Sequence, residues 1–215
     1  VENYLVDFYA TEIGGDITYQ KSGFLGVLGV TNGEIKGNIV PLPDTLTATP
    51  AFYAKLGYDN KISDDMRLRV TGSIYTQSQS PRNTLTQGDR TGSNYYMVME
   101  KAMQNPTTAS STTAQAWSGR INPNFANNLS IFEFNAFFQA GGLEFFGTYN
   151  MGSGAGSPAE HTSSKGDRKM TQIAADLLYR LGSEKNFYVG GRYNLVNAEM
   201  GAVDPNDVSK YLMSS

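Results

Sequence analysis

Strict alternation of apolar and polar residues, sustained over about ten residues at a time, restricts the fold of this chain more than any other feature. The side chains of a β-strand point alternately to the two faces of its sheet, so this period predicts strands with one apolar and one polar face. The length matches the ~9–11 residues that a tilted strand needs to cross a membrane. The clearest segments are 51–59, 65–77, 129–140, 143–151, 169–181 and 187–197. We therefore expect an all-β fold: an antiparallel transmembrane β-barrel, or a partial wall of a larger barrel.

A soluble β-sandwich would show the same alternation, and two features count against it. Strands commonly have ~5–6 residues, fewer than these segments. The connections also alternate between short and long, as in outer-membrane barrels, where short turns face the periplasm and long loops face the outside. The short connections are 60–64, 141–142 and 182–186, and the long ones are approximately 78–128, 152–168 and 198–207. Both features favour the barrel.

The composition fits this fold. Only 17% of the residues are charged and 12% are aromatic, with 13 Tyr, 11 Phe and 23 Gly, which suits membrane strands, tight turns and an interfacial aromatic girdle. No window approaches the ~18 consecutive apolar residues of a membrane-spanning helix. The net charge of −3 comes from interspersed acidic and basic residues, so we expect no nucleic-acid partner. The chain has no cysteine, which excludes a disulfide framework and a thiolate metal site.

The N-terminal part predicts further strands. Residues 24–30 form an apolar run that ends at the turn signal Thr31-Asn32-Gly33, and residues 1–11 and 13–20 have strand-like patterns. Neither end of the sequence looks like the terminus of a finished barrel. We therefore expect residues 1–215 to be a single barrel domain that is an internal segment of a longer protein.

The connection at 78–128 is long enough to need a function of its own. It contains the apolar run 95–99 and Trp117 among many Gly, Ser, Thr, Asn and Pro residues. Our hypothesis is that it is an extracellular loop that folds into the barrel and narrows the pore. The alternative is that residues 93–101 and 113–121 are two further strands of the wall.

Charged residues at alternate positions of the predicted strands fall on the polar face, which would line the barrel. The basic set is Lys55, Arg67, Arg69, Arg180 and Arg192, and the acidic set is Asp59, Glu133, Glu144 and Asp176. Mixed charge opposed across a pore gives a transverse field over a water-filled channel, with weak ion selectivity. Alternatively, these residues form salt bridges within the wall that affect permeation little.

Several strand and turn motifs resemble a family of outer-membrane porins related to the phosphate-selective type. They include Gly-Val-Thr-Asn-Gly-Glu at 29–34 and Leu-Arg-Val-Thr-Gly-Ser-Ile-Tyr at 68–75, together with 88–93, 142–147, 174–180 and 187–194. The resemblance implies a channel of about sixteen strands in a Gram-negative outer membrane. The partners it implies are outer-membrane lipid and lipopolysaccharide, small polar solutes, and a further copy of the chain or an envelope protein. The signal peptide and the aromatic-ending C-terminal strand of a complete member are missing, as expected for an internal segment.

No arrangement of residues points to catalysis. His161, the single histidine, lies in a long loop without a nucleophile elbow. The Gly-rich run at 152–156 lacks the Lys-Ser/Thr of a phosphate-binding loop. The acidic residues at Asp64-Asp65 and 204–207 have ligand chemistry for Ca²⁺ but are more often ordinary turns. We expect no enzymatic activity, no catalytic residue, no cofactor and no metal.

The sequence leaves functions of different classes open. The first is a porin that allows passive diffusion of small polar solutes or ions. The second is a structural or adaptor outer-membrane barrel whose loops bind a protein partner in an envelope assembly. A more remote third is a soluble, secreted β-sandwich adhesin.

Overall fold

The computed structural model describes residues 10–35, 48–80, 83–86, 121–204 and 207–214. Within them lie one antiparallel sheet of nine strands and the short helix α1 (Pro158–His161). The strands are β1 (Glu12–Lys21), β2 (Phe24–Glu34), β3 (Ala51–Ser63), β4 (Met66–Gln79), β5 (Asn127–Ala140), β6 (Leu143–Ala155), β7 (Arg168–Leu181), β8 (Phe187–Asp204) and β9 (Asp207–Ser214). Each strand pairs with the next one along the chain. The expected all-β, antiparallel fold is confirmed.

The strands are at least as long as the alternation predicts. Strands β3 to β8 contain 13 to 18 residues each. At ~3.4 Å per residue, a strand of this length inclined by ~40° spans the ~25 Å of a barrel's apolar band with residues to spare at both ends. The strand predicted at 13–20 is confirmed as β1, whereas the strand predicted at 1–11 lies almost entirely outside the described residues.

Tight turns collect at one edge of the sheet, which we call the turn edge. They lie at Ser22-Gly23, Asp64-Asp65, Gly141-Gly142 and 182–186. In the first of them φ is 51° at Ser22 and 86° at Gly23, and two consecutive positive φ angles match the twist of the strands that such a hairpin joins. Asp64-Asp65 forms the turn between β3 and β4.

Longer connections collect at the opposite edge, which we call the loop edge. They are 35–50, 80–126 and 156–167. The last contains α1, in which the amide of Glu160 donates to Ser157 Oγ at 3.2 Å. His161 Nδ1 lies 2.7 Å from Asp167 Oδ1, so the histidine ties two parts of this loop together. From β3 to β8, short and long connections alternate as predicted, and the connections from β1 to β3 follow the same order.

The turn predicted at Thr31-Asn32-Gly33 is wrong, because β2 continues through it to Glu34. Gly33 has a φ of 78°, the backbone conformation that makes Asn-Gly a turn signal. Here Gly33 instead allows a side chain of β4 to come close to the backbone of β2. A Cβ on Gly33 would lie 2.2 Å from Nε2 of Gln77, so glycine leaves space for the glutamine side chain without reversing the chain.

The bounds predicted for the short connection at 60–64 are also wrong, and so is the long connection predicted at 198–207. Strand β3 continues to Ser63 and β8 to Asp204, which is the register partner of Asp207 in β9. Polarity does not alternate in these extensions. The period that identifies the rest of each strand is therefore absent from them, and the extensions resemble loops.

Strands β4 and β5 are direct neighbours, paired from Met66↔Ala140 to Gln79↔Asn127. No strand from the long connection therefore lies between them. The alternative, that the connection contains two further strands, concerns segments outside the described residues, apart from Ile121. These segments are 93–101 and 113–121.

The sheet has two edge strands, β1 and β9. No ladder joins them within the described ranges, so the sheet is open and the expected closure into a barrel is not observed. In the same part of the chain, no helix is both long and apolar enough to cross a membrane.

Candidate functional site

The register places the alternating residues of the sheet on two continuous faces. Lys55, Ser73 and Glu133 are consecutive partners across β3, β4 and β5, and such a set of partners is called a rung here. Directly paired residues of an antiparallel sheet point to the same side. We call the side that carries this rung the polar face and the other side the apolar face.

Large apolar side chains cover the apolar face and remain exposed. Ile17 is 80% exposed, Leu56 73% and Phe187 77%. Others more than a third exposed are Leu28, Phe52, Ile74, Phe134, Phe145, Ile173, Leu177, Val189 and Tyr193. Soluble proteins rarely expose contiguous apolar patches larger than a few hundred Å². A face of this kind extending over eight strands needs an apolar environment.

The band of apolar residues runs obliquely across the strands. At the loop edge it begins on β3 with Phe52, and the same rung carries Lys169 on β7. On β7 the band begins four residues later, at Ile173. At the turn edge the band ends on β3 with Tyr58, whose rung contains Ala175 on β7. On β7 the band extends six residues past Ala175, to Leu181. Both limits of the band therefore shift in the same direction.

This shift measures the inclination of the strands to the band. Four to six residues over the four steps from β3 to β7 is 1–1.5 residues per strand. With ~3.4 Å per residue along a strand and ~4.8 Å between strands, the inclination is roughly 35–45°. Strands of transmembrane barrels are tilted by the same ~35–45°.

The polar face carries its charges mainly near the turn edge, where three arginines form ion pairs with neighbouring strands. Arg67 donates to both carboxylate oxygens of Asp59, at 2.8 and 2.6 Å. The other two pairs are Arg180 Nε–Glu144 Oε1 at 2.7 Å and Arg192 Nε–Asp176 Oδ1 at 2.6 Å. These three pairs neutralise charge within the wall.

All the residues predicted to line a pore lie on the polar face by register: Lys55, Asp59, Arg67, Arg69, Glu133, Glu144, Asp176, Arg180 and Arg192. Their role in a pore stays a prediction. The wall salt bridges of the alternative interpretation are present for three arginines. Lys55 and Arg69 make no ion pair with any residue that the structure describes.

Amide and hydroxyl groups occupy the middle of the polar face. Thr148 Oγ1 donates to Asn135 Oδ1, and Asn135 Nδ2 donates to Glu133 Oε1, both at 2.7 Å. Among the described residues, the side-chain oxygen of Asn150 and both amide atoms of Asn194 are buried without a hydrogen-bond partner. Buried polar atoms are usually hydrogen-bonded, so an ordered water molecule would complete the bonding of these groups.

An apolar cluster covers the polar face near the loop edge. Residues 83–86 and 121–126, the described ends of the long connection, contribute Leu85 and Phe125 to it. The sheet contributes Leu129, Ile131, Met170, Val196 and Ala198. Both described ends of the long connection therefore pack against the polar face. This is the face that would line the barrel, as required by the hypothesis that the connection folds into it. Residues 87–120 are outside the described part of the chain.

A buried carboxylate fixes the beginning of this connection. Glu34, only 3% exposed, accepts hydrogen bonds from the amide of Thr84 at 2.5 Å and from its hydroxyl. Asn83 supports the same turn by accepting the amide proton of Leu85 at 2.9 Å. Hydrogen bonds to a charged acceptor are among the strongest in proteins, so Glu34 anchors residues 83–85 to the sheet.

A buried guanidinium fixes the end of the connection. Arg168, whose side chain is 2% exposed, pairs with Glu160 and donates to the carbonyl oxygen of Pro123. Its guanidinium carbon also lies 5.6 Å from the ring centroid of Phe125 and 5.9 Å from that of Tyr211. Neither anchor has a local sequence signal, because each fixes a residue more than forty positions away.

Comparison of the chain with protein-family models, with curated proteins and with solved structures finds no match. The resemblance to porins therefore stays a prediction. The described residues contain no group of three or more His, Asp or Glu side chains that could hold a metal ion.

Proposed function

We propose that this chain forms part of the wall of an outer-membrane porin that allows passive diffusion of small polar solutes or ions. The oblique apolar band carries the proposal. A flat bilayer cuts tilted strands at a different residue in each strand, and the two limits of the band shift as a tilt of ~35–45° requires. The polar face behind the band then faces a water-filled lumen.

Two further observations support this proposal. From β1 to β8, tight turns lie at one edge and longer connections at the other, as in outer-membrane barrels. Charged and amide groups on the polar face provide polar contacts for a hydrated solute. In a bilayer every strand edge must be paired, so the proposal requires β1 and β9 to pair with each other or with further strands.

Planar bilayer recordings test the function. We expect discrete conductance steps in KCl after insertion of the purified protein. The second candidate, an adaptor barrel that binds a protein partner, is favoured by the apolar cluster that packs over the polar face. Membrane insertion without conductance would support that candidate against the porin, and stability in water without detergent would contradict both.

A further inference from the structure

A cavity of about 230 Å³ opens on the polar face between β2 and β5, beside Leu85 of the anchored connection. Lys55, Ser73 and Glu133 line it together with the apolar side chains of Val27 and Ile131. Sites for drug-sized ligands have ~300–1,000 Å³, so this cavity suits a smaller metabolite. We propose that it binds a zwitterion, namely an α-amino acid or a molecule with the same two charged groups.

The two charges of the cavity are held apart within one rung. Ser73 separates Lys55 from Glu133, and two strand spacings of ~4.8 Å place their backbones ~10 Å apart. The two side chains form no ion pair with each other, in contrast to the three arginine pairs near the turn edge. The gap between an ammonium and a carboxylate is then available to a ligand that carries the opposite group at each end.

Neighbouring residues orient the charged groups and leave apolar walls. Asn135 donates to one oxygen of Glu133 at 2.7 Å, which orients the carboxylate. The hydroxyls of Tyr53 and Tyr75, which also line the cavity, donate to Asp16 at 3.0 Å and to Glu12 at 2.7 Å. Because each hydroxyl already donates its only proton, the tyrosines offer a ligand their rings and an acceptor oxygen, but no further donor. The walls therefore suit the aliphatic part of an amino acid.

Other small solutes match the cavity less well. An anion meets the carboxylate of Glu133, a cation meets the ammonium of Lys55, and a neutral sugar leaves both charges uncompensated. Like charges near each other are unfavourable, and a charge without a partner gains nothing from burial. A zwitterion alone compensates both charges. This inference rests on the proposed function, because the cavity is reached from a lumen only if the polar face lines one.

L-alanine is the probe, with acetate, methylammonium and glycerol as matched solutes that each lack part of it. In bilayers we expect L-alanine to reduce the KCl current saturably and the three matched solutes to have no such effect. Lys55→Gln and Glu133→Gln each remove one charge-assisted contact, so the half-blocking concentration should rise at least ~tenfold. Lys61→Gln, on the same strand and face near the turn edge, should leave the block unchanged.

The charge-swapped double variant Lys55→Glu/Glu133→Lys gives the sharpest test, since a zwitterion can bind it in the reversed direction. We expect the double variant to recover block that either single charge reversal abolishes. Equal block by acetate or glycerol, or block unchanged in Lys55→Gln and Glu133→Gln, would overturn the site while the porin stands.

Equilibrium binding of L-alanine to the detergent-solubilised protein separates the two proposals. Saturable binding that Lys55→Gln weakens, in a protein that does not conduct, would retain the site and overturn the porin. Conductance without saturable binding would retain the porin and overturn the site.

Discussion

Replacing Leu177 by arginine puts a charge at the centre of the apolar face. Leu177 lies four residues from Ile173 and four from Leu181, the limits of the band on β7. At ~3.4 Å per residue and a tilt of ~40°, it is ~10 Å from either limit. An arginine at the midplane of a bilayer costs ~2–4 kcal/mol in a transmembrane barrel. Leu177 is 53% exposed, so in a water-soluble sheet the same substitution would change stability by only ~0.5 kcal/mol.

Urea unfolding of the protein in phospholipid vesicles, followed by circular dichroism, measures this cost. With a slope of ~2 kcal/mol per M, we expect the midpoint to fall by ~1–2 M. The matched control is Thr171→Arg, on the same strand and face but outside the band, where the cost should be ~0–1 kcal/mol. Equal effects of the two substitutions would refute the assignment of the band to a bilayer.

Three further substitutions test individual contacts. Glu34→Gln should destabilise the anchor by ~1–3 kcal/mol and speed hydrogen exchange at the Thr84 amide, whereas unchanged exchange would contradict the anchoring role. Gly142→Ala should cost ~1–3 kcal/mol, because a Cβ would lie 2.5 Å from the backbone carbonyl oxygen of Arg180; Gly191→Ala, with open space around it, is the control and should be nearly neutral in urea unfolding. Phe125→Ala should cost ~3–5 kcal/mol by the same measurement, since its side chain is fully buried, and a cost below ~1 kcal/mol would argue against the cluster.

Alternation was sufficient to predict the faces of the strands, but not the contacts made on them. Whether Arg67 lies on the polar face depends only on odd and even positions within β4. Its pairing with Asp59 depends in addition on where the turn begins, and the turn is Asp64-Asp65 and not the longer connection expected at 60–64. A shift of one residue would send every side chain of a strand to the other face, so contacts need a register that periodicity does not supply.

The anchors of the long connection could not be predicted for a different reason. Glu34 follows an Asn-Gly sequence that normally reverses the chain, and its partner Thr84 is fifty positions away. Likewise, Arg168 begins a strand and contacts Pro123 across a connection. Such contacts depend on how distant segments pack, and no local pattern records them.

The inclination of the strands also changes how a solute would meet the charges of the polar face. Asp59, Arg69, Asp176 and Arg192 belong to one rung, but β3 and β8 are five strand spacings apart. At ~4.8 Å per spacing and a tilt of ~35–45°, the two ends of the rung differ in depth by ~15 Å. In the proposed channel, a solute would pass these groups one after another at successive depths, and not through a single charged ring.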